Sequence, residues 1–411
     1  MEAEFPTLTL AERDRRWKIT REMMKVEGVE CLIVPGLKGR EALEGYLSND
    51  YAEGLVVFPL EGEPVHLTWT GTRITRRHES ALRGVPVWVE DMRVGCDGPT
   101  LVKVLKEKGF EKGRIGVVGL EIRAPGEREG FIPYTLWAFV LRELPHAAFL
   151  EMSEAFVGMM IVKSEEELTI MRHSARIGEA ACLKMLEMAA PGLSELDLYA
   201  AIVNVIFKAG ASPPPPHLIL HSGLENLSWG PPMWIYQGGA PRILQKGDMV
   251  LAEIFPRYGG LESQQQMAVH LKPANDLLVE LGEVARRCYE VGISVMKAGK
   301  TFREVCDALE GAVSGAGYWH LTPLIHSLAP IKWTSGSAVG IEQAAGVEWA
   351  KEVLRSRPVV GSDLVLKPGM VFELEPNACK GRHRVNIGGT VIVTERGVEE
   401  LNHLPTKLHI K

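Results

Sequence analysis

One stretch limits what the second half of this chain can become. Gln245-Lys-Gly-Asp-Met-Val250 runs directly into Leu251–His270, LAEIFPRYGGLESQQQMAVH. Gly247-Asp248 supplies a turn, Met249–Phe255 reads as an apolar strand, Tyr258-Gly259-Gly260 turns the chain again, and Leu261–His270 returns as a second strand. The pattern is a hairpin. Its first strand carries one acid, Glu253, and its second carries three amides, Gln264, Gln265 and Gln266. A carboxylate and amides set among strand hydrophobes are costly to bury unless partners or a ligand satisfy them. The sharp expectation is a functional group; the plain one is a charged end on an exposed edge strand.

Length asks for more than this hairpin. At 411 residues the chain exceeds the ~250–300 at which a single core usually stops growing, so two domains are expected, 1–160 and 161–411. A net charge of −6 argues against nucleic acid or an anionic membrane as the main partner and favours a small-molecule substrate. No apolar run approaches the ~20 residues of a membrane span, and Met1-Glu-Ala-Glu opens acidic where a signal peptide would be basic, so a cytoplasmic protein is expected. Six cysteines without CxxC spacing read as reduced packing residues.

In chain order, Leu10–Glu27 reads as a helix closed by Gly28. Val29–Pro35, Gly54–Phe58, Pro64–Thr70, Val85–Val89 and Arg114–Val118 read as strands, with Thr100–Lys108 helical, which predicts an α/β layer. Thr72–His78 is a basic cluster placed in a loop, with a solvated face as its plain reading. Leu136–Leu144 reads as a helix and Met159–Val162 as a short strand. Ser164-Glu-Glu-Glu167 before an apolar run has the form of a capping box, and a second helix starts at Ser194 after Pro191-Gly192.

Val162-Lys-Ser-Glu-Glu-Glu-Leu-Thr-Ile-Met-Arg172, Pro191-Gly-Leu-Ser-Glu-Leu196, the hairpin, Leu366-Lys-Pro-Gly-Met-Val-Phe-Glu-Leu-Glu-Pro376 and Gly389-Thr-Val-Ile-Val-Thr-Glu-Arg-Gly397 occur in that order. Together they resemble the landmarks of the pita-bread fold family of creatinase, prolidase, aminopeptidase P and methionine aminopeptidase. The resemblance implies an α+β pita-bread catalytic domain after a creatinase/prolidase-type α/β N-terminal domain. It also implies a homodimer.

Peptidase members of that family hold two divalent ions with two aspartates, a histidine and two glutamates. The matching positions here are Glu253, Gln264, His326, Glu375 and Gly388, of which only His326 and Glu375 keep the ligand type. Two carboxylates compensate two divalent ions poorly, so no dinuclear centre and no cofactor are expected. Glu253, His326 and Glu375 are left as the ligands of an alternative, mononuclear divalent site. Creatinase works without metal, and Phe255-Pro256 after the first ligand position resembles its pattern. The histidine that creatinase carries after its Ser-Gly stretch is replaced by Trp229 or Gly230, which puts creatine itself in doubt.

His326, in an apolar stretch, is the natural proton shuttle near neutral pH, unless it is simply a hydrogen-bonded core histidine. In Phe372-Glu-Leu-Glu-Pro376 strict alternation puts Glu373 and Glu375 on one face. Two nearby carboxylates, Glu253 and Glu375, would push one carboxyl pKa upward. The expected catalytic set is therefore His326, Glu375 and Glu253. Gln264, Gln266, His221, Trp229, Trp333 and Arg384 are expected to bind substrate. His217 and His221, on an extended run after four prolines, are too far apart to chelate one ion easily. The reading is a creatinase-like hydrolase cleaving a C–N bond in a small polar compound. Its alternatives are a mononuclear Xaa-Pro aminopeptidase or prolidase-like hydrolase, and a non-catalytic module that binds a ligand or protein.

Overall fold

The computed structural model describes residues 5–36, 43–50, 53–120 and 132–411. It divides into two compact units, Thr7–Ile161 and Val162–Lys411, the second of which also takes in Phe5 and Pro6.

The first unit is built on β1 Cys31–Pro35, β2 Leu55–Pro59, β3 Val65–Thr68, β4 Asp91–Val94, β5 Arg114–Val117 and β6 Ala148–Glu151, in the order β4-β3-β2-β1-β5-β6. The β1/β2 and β2/β3 pairs are antiparallel and the others parallel, so the sheet is mixed. The helix Leu10–Glu27 begins where Thr9 accepts from the Glu12 N–H and ends at Gly28, whose φ of 69° is a left-handed cap that glycine adopts without strain.

Three local expectations are corrected here. Val85–Val89 is not a strand: Pro86 has no N–H for a ladder, and the edge is made instead by Asp91–Val94, pinned by the Arg93 guanidinium on Asp91. The basic cluster Thr72–His78 is not a loop but lies within a helix, Gly71–Leu82, capped by Thr70, with no buried residue among its described side chains. Met159–Val162 is not a strand either. Its first residues finish a helix, Ser153–Met160, whose Phe156, Val157 and Met160 are buried at helical spacing, while Val162 makes a single bridge to Met370.

The second unit carries the longer sheet. Its strands are β7 Ile219–Gly223, β8 Met249–Ile254, β9 Arg257–Tyr258, β10 Leu261–Glu262, β11 Gln265–His270, β12 Ile325–Ser327, β13 Val371–Leu374, β14 Asn377–Lys380, β15 His383–Asn386, β16 Gly388–Val393, β17 Val398–Glu400 and β18 His409–Ile410. The order is β12-β13-β16-β11-β8-β7, with β17 on β16 and β18 on β11. β8 and β11 are the expected hairpin, and β9 and β10 pair at its tip.

The period of two sorts this sheet into contrasting faces. Leu220, Val250, Ala252, Ile254, Met267 and Val269 point toward the helices Glu165–Met188 and Glu195–Lys208 and form one core with Ile177, Ala181, Met185, Leu198 and Ile202. Gln265 falls on this side, its carboxamide fitting against Gly178, where an added Cβ would lie 1.8 Å from Oε1. On the other face Met249, Leu251 and Ala268 pack with the helix Asp276–Val295 and with Ala378, Val385 and Ile387. One step further along that face the apolar residues give way to Glu253 and Gln266.

The helix Glu165–Met188 starts with a complete capping box: the Glu167 N–H donates to Ser164 Oγ at 3.1 Å and the Ser164 N–H to Glu167 Oε2 at 2.9 Å. Ser164→Ala is expected to cost about 1 kcal/mol. In a unit of this size that lowers the melting temperature by roughly 2–4 °C, a shift readable by calorimetry, with Ser164→Asp largely restoring it.

Candidate active site

The site is two neighbouring rungs of one sheet face. Register pairs Glu253 with Gln266 and Gln266 with Gly388, and Glu375 follows β13 beside Gly388. The next rung pairs His326 with Glu373 and Glu373 with Thr390. Thr390 Oγ1 then receives the Gln264 N–H at 2.8 Å. Directly opposed residues share a face, so the pairing of β8, β11, β12 and β13, with β16 between β11 and β13, gathers Glu253, Gln266, His326 and Glu373 and the adjoining Gln264 and Glu375 from four separate segments.

Each acid has a fixed environment. Glu253, 5% exposed, accepts from Trp229 Nε1 at 2.8 Å. Glu375 Oε2 accepts from Gln266 Nε2 at 2.9 Å, and its Oε1 lies 3.5 Å from His326 Nε2. The other ring nitrogen, His326 Nδ1, is 3.0 Å from the Ser327 carbonyl. A carbonyl only accepts, so Nδ1 carries a proton, and Nε2 is the nitrogen turned toward Glu375. Burial, and then the neighbouring Glu253, hold Glu375 well above the ordinary carboxylate range, while Arg384 pulls the other way.

Glu373 is also raised well above that range, by burial first and then by Glu375. Its hydrogen bonding agrees. Thr390 has one hydroxyl proton for two acceptors, the Gln264 carbonyl at 2.9 Å and Glu373 Oε2 at 3.1 Å, and a proton on Glu373 resolves the conflict.

Arg384 is the buried cation of the cluster and interacts electrostatically with Glu375 and Glu253. Its NH1 donates to the Ser228 carbonyl at 3.1 Å and its NH2 to Thr322 Oγ1 at 3.4 Å. His221 lies one step along β7 from the Glu253 rung, its Nε2 is buried without a protein hydrogen-bond partner, and burial holds its pKa below the ordinary imidazole range. Gln264 is on the site face, but its Nε2 donates to Glu262 at 2.8 Å and its Oε1 is buried without a protein partner.

Trp333 is buried, and its carbonyl accepts the Ser327 N–H at 2.8 Å beside His326. Its indole packs against Gly361, where an added Cβ would come within 2.1 Å, and Lys332 Nζ is 4.8 Å from its ring. Two participants were not among the sequence expectations for the site. Glu373 was signalled by its alternation with Glu375. Asn386, whose Nδ2 lies 2.8 Å from Gln266 Oε1, has no local signal, because its approach depends on the return of β15 beside β11.

The donor set does not match a two-metal cage. N–H groups from Trp229 and Gln266 stand at the carboxylates. Gln264 offers a neutral amide, and Gly388 has no room for a side chain, its added Cβ falling 2.4 Å from the Leu374 carbonyl oxygen. Among the described residues no group of three or more His, Cys, Asp or Glu is arranged to hold a metal ion.

An α/β unit followed by a sheet whose polar face gathers these acids and one histidine defines a pita-bread protein of the creatinase and prolidase type. The chain belongs to metallopeptidase family M24, whose model matches residues 169–395. It is a hydrolase acting on carbon–nitrogen bonds. It is 24% identical over 424 residues to the ectoine hydrolase of Halomonas elongata, covering 97% of this chain and 96% of that one. It is 23% identical to a Bacillus creatinase, over 74% of this chain and 69% of that one. The fold is similar to the X-Pro aminopeptidase of Thermotoga maritima (TM-score 0.74, 17% identity, 96% of this chain and 99% of that one). It is similar also to the Xaa-Pro dipeptidase of Bacillus anthracis (TM-score 0.73, 20% identity, 97% and 100%). No helix among the described residues is long and apolar enough to cross a membrane.

The raised Glu373 makes stability depend on pH with a definite sign. A carboxyl whose folded pKa lies above its unfolded value of about 4.3 stabilises fully below that value and loses its contribution as pH rises through the folded pKa. Glu373→Gln does not titrate. Its stability relative to the parent should therefore rise with pH, by about 1.4 kcal/mol per unit between the two pKa values. Urea denaturation at pH 5 and pH 7.5 reads the difference; an unchanged gap would place the folded Glu373 in the ordinary carboxylate range.

Proposed function

We propose that this protein cleaves a carbon–nitrogen bond in a small polar compound without a dinuclear metal centre, using the His326–Glu375 pair for proton transfer and Glu253 to orient substrate or water. The observation that carries the reading is the pair itself: His326 Nε2 faces Glu375 Oε1 at 3.5 Å while Nδ1 is tied to the Ser327 carbonyl. Glu375, raised above the ordinary carboxylate range by burial and by Glu253, keeps its proton to higher pH than a free carboxyl, and His326 Nε2 can take it up and return it. Cleavage needs one proton removed from attacking water and one delivered to the departing nitrogen, and a pair sharing a single proton serves both in turn. Arg384 offsets the charge of the two carboxylates.

The remaining residues form the walls in this reading. Gln266 fixes Glu375, and the buried Oε1 of Gln264 is available to an N–H of the substrate. Trp229 and His221 border Glu253, and Trp333 stands behind Thr334, which bridges to His326. The N–H donors at the two carboxylates support a metal-free mechanism, since amide and indole donors compensate negative charge where cations would otherwise be needed. The proposal includes a cytoplasmic homodimer, as the family resemblance implies.

Turnover of a panel containing creatine, ectoine and Xaa-Pro dipeptides, by protein purified without added metal, tests this. Activity on at least one small C–N compound should survive chelators and fall 100-fold or more in His326→Ala and Glu375→Gln, about 2.7 kcal/mol of barrier. Activity that appears only on adding one divalent ion per chain, measured by metal analysis, would replace this reading with the mononuclear one.

A further inference from the structure

We infer that Asn386 is the positioning residue that makes Glu375 the acid of the site: it locks the Gln266 carboxamide with its oxygen toward Glu375, a place that only a carboxyl carrying its proton can fill. The inference rests on the reading of Glu375 as a proton-transfer group. Asn386, Gln266 and Arg384 are 3%, 4% and 2% exposed, so the groups packed around them decide how each amide is turned. A carboxamide has a donor end and an acceptor end of nearly the same shape, and a half-turn about its last bond exchanges them without moving the rest of the side chain.

The chain of partners starts from groups whose polarity cannot change. One end of the Asn386 carboxamide lies 3.1 Å from the Glu375 carbonyl oxygen and 3.2 Å from that of Pro376; the other lies 3.0 Å from Arg384 NH2 and 2.8 Å from the Gln266 carboxamide. Carbonyls only accept and a guanidinium only donates. Asn386 therefore turns its Nδ2 to the two carbonyls and its Oδ1 to Arg384 and Gln266. Gln266 has to meet that oxygen with its N–H, which leaves its own oxygen in the place 2.9 Å from Glu375 Oε2. Two oxygens at that distance need a proton between them, and of the two only Glu375 can supply one.

The reverse orientation belongs to the other protonation state. With Gln266 Nε2 donating to an ionised Glu375 and Asn386 Nδ2 to Gln266 Oε1, Asn386 Oδ1 is pressed on two carbonyl oxygens and its N–H on the guanidinium. Repulsion at both ends of a buried amide makes this the state to be left, so a Glu375 that has given up its proton is driven to recover it. Glu375 Oε1 is the oxygen facing His326, so the proton held on Oε2 reaches the imidazole by a half-turn of the carboxyl, and Gln266 turns with it. Glu253 is met the opposite way, by the Trp229 indole, which only donates. Partner polarity thus divides the two acids before any substrate arrives, Glu375 as donor and Glu253 as acceptor.

Neutron diffraction from a crystal of the full-length protein, exchanged into heavy water near neutral pH, reads the orientation directly. Deuterium on Asn386 should point to the two carbonyls and that on Gln266 to Asn386, and Glu375 Oε2 should carry a deuteron. Gln266 deuterium directed at Glu375 overturns the inference. In solution, the infrared band of the protonated Glu375 carboxyl, assigned by its loss in Glu375→Gln, should weaken about threefold or more in Asn386→Leu and persist in Asn386→Asp, which keeps the acceptor. An unchanged band in Asn386→Leu overturns the inference as well. In turnover, kcat should fall about tenfold or more in Asn386→Leu with KM held within about twofold, and recover in part in Asn386→Asp. An Asn386→Asp variant no better than Asn386→Leu overturns the positioning role, since lost packing is not restored by an acceptor. The neutron and infrared readings need no turnover. Both holding while His326→Ala keeps full activity would retain the lock and reject the proton-transfer reading instead.

Discussion

The second unit depends on compensating negative charge inside a sheet. Glu253, Glu373 and Glu375 are all at most 5% exposed on one face, and three ionised carboxylates in such a place would repel strongly. The structure meets the problem in three ways. N–H donors from Trp229 and Gln266 reach two of the acids, Arg384 is buried beside them, and two of the carboxyls are pushed toward the neutral form. The same compensation that makes the face foldable supplies a proton-bearing acid next to an imidazole.

The hydrophobic pattern explains why this face can be so polar. The opposite face of β8 and β11 is sealed by two long helices, and the far end of the polar face by a third helix and the β14/β15 hairpin. Stability is secured on three sides, leaving the rungs around Glu253 and His326 to carry groups that contribute little to it. This is the usual division between scaffold and site, here drawn across two residues of one strand, Leu251 and Glu253.

What could be read from the sequence follows the range of the interaction. The hairpin at Met249–His270, the capping box at Ser164 and the helix closed by Gly28 depend on neighbours in the chain, and they stand where local chemistry puts them. Val85–Val89 had the composition of a strand, but the sheet edge was taken by Asp91–Val94, whose signal is an Arg–Asp fork rather than an apolar run. Strand alternation was enough to put Glu373 beside Glu375. The contacts of Trp229 with Glu253 and of Asn386 with Gln266 join residues distant in the chain, and nothing near either residue announces them.

Gly388 has a consequence beyond the present chemistry. The β13 backbone passes so close that even a methyl group there would overlap the Leu374 carbonyl oxygen. A carboxylate at 388 could not be regained by one substitution, because the neighbouring strand would have to retreat first, and with it the registers that align Glu373 with His326 and Thr390. The absent side chain acts as a latch: with the strands drawn together over it, any residue larger than glycine at 388 has to pry β13 away before it can enter this face.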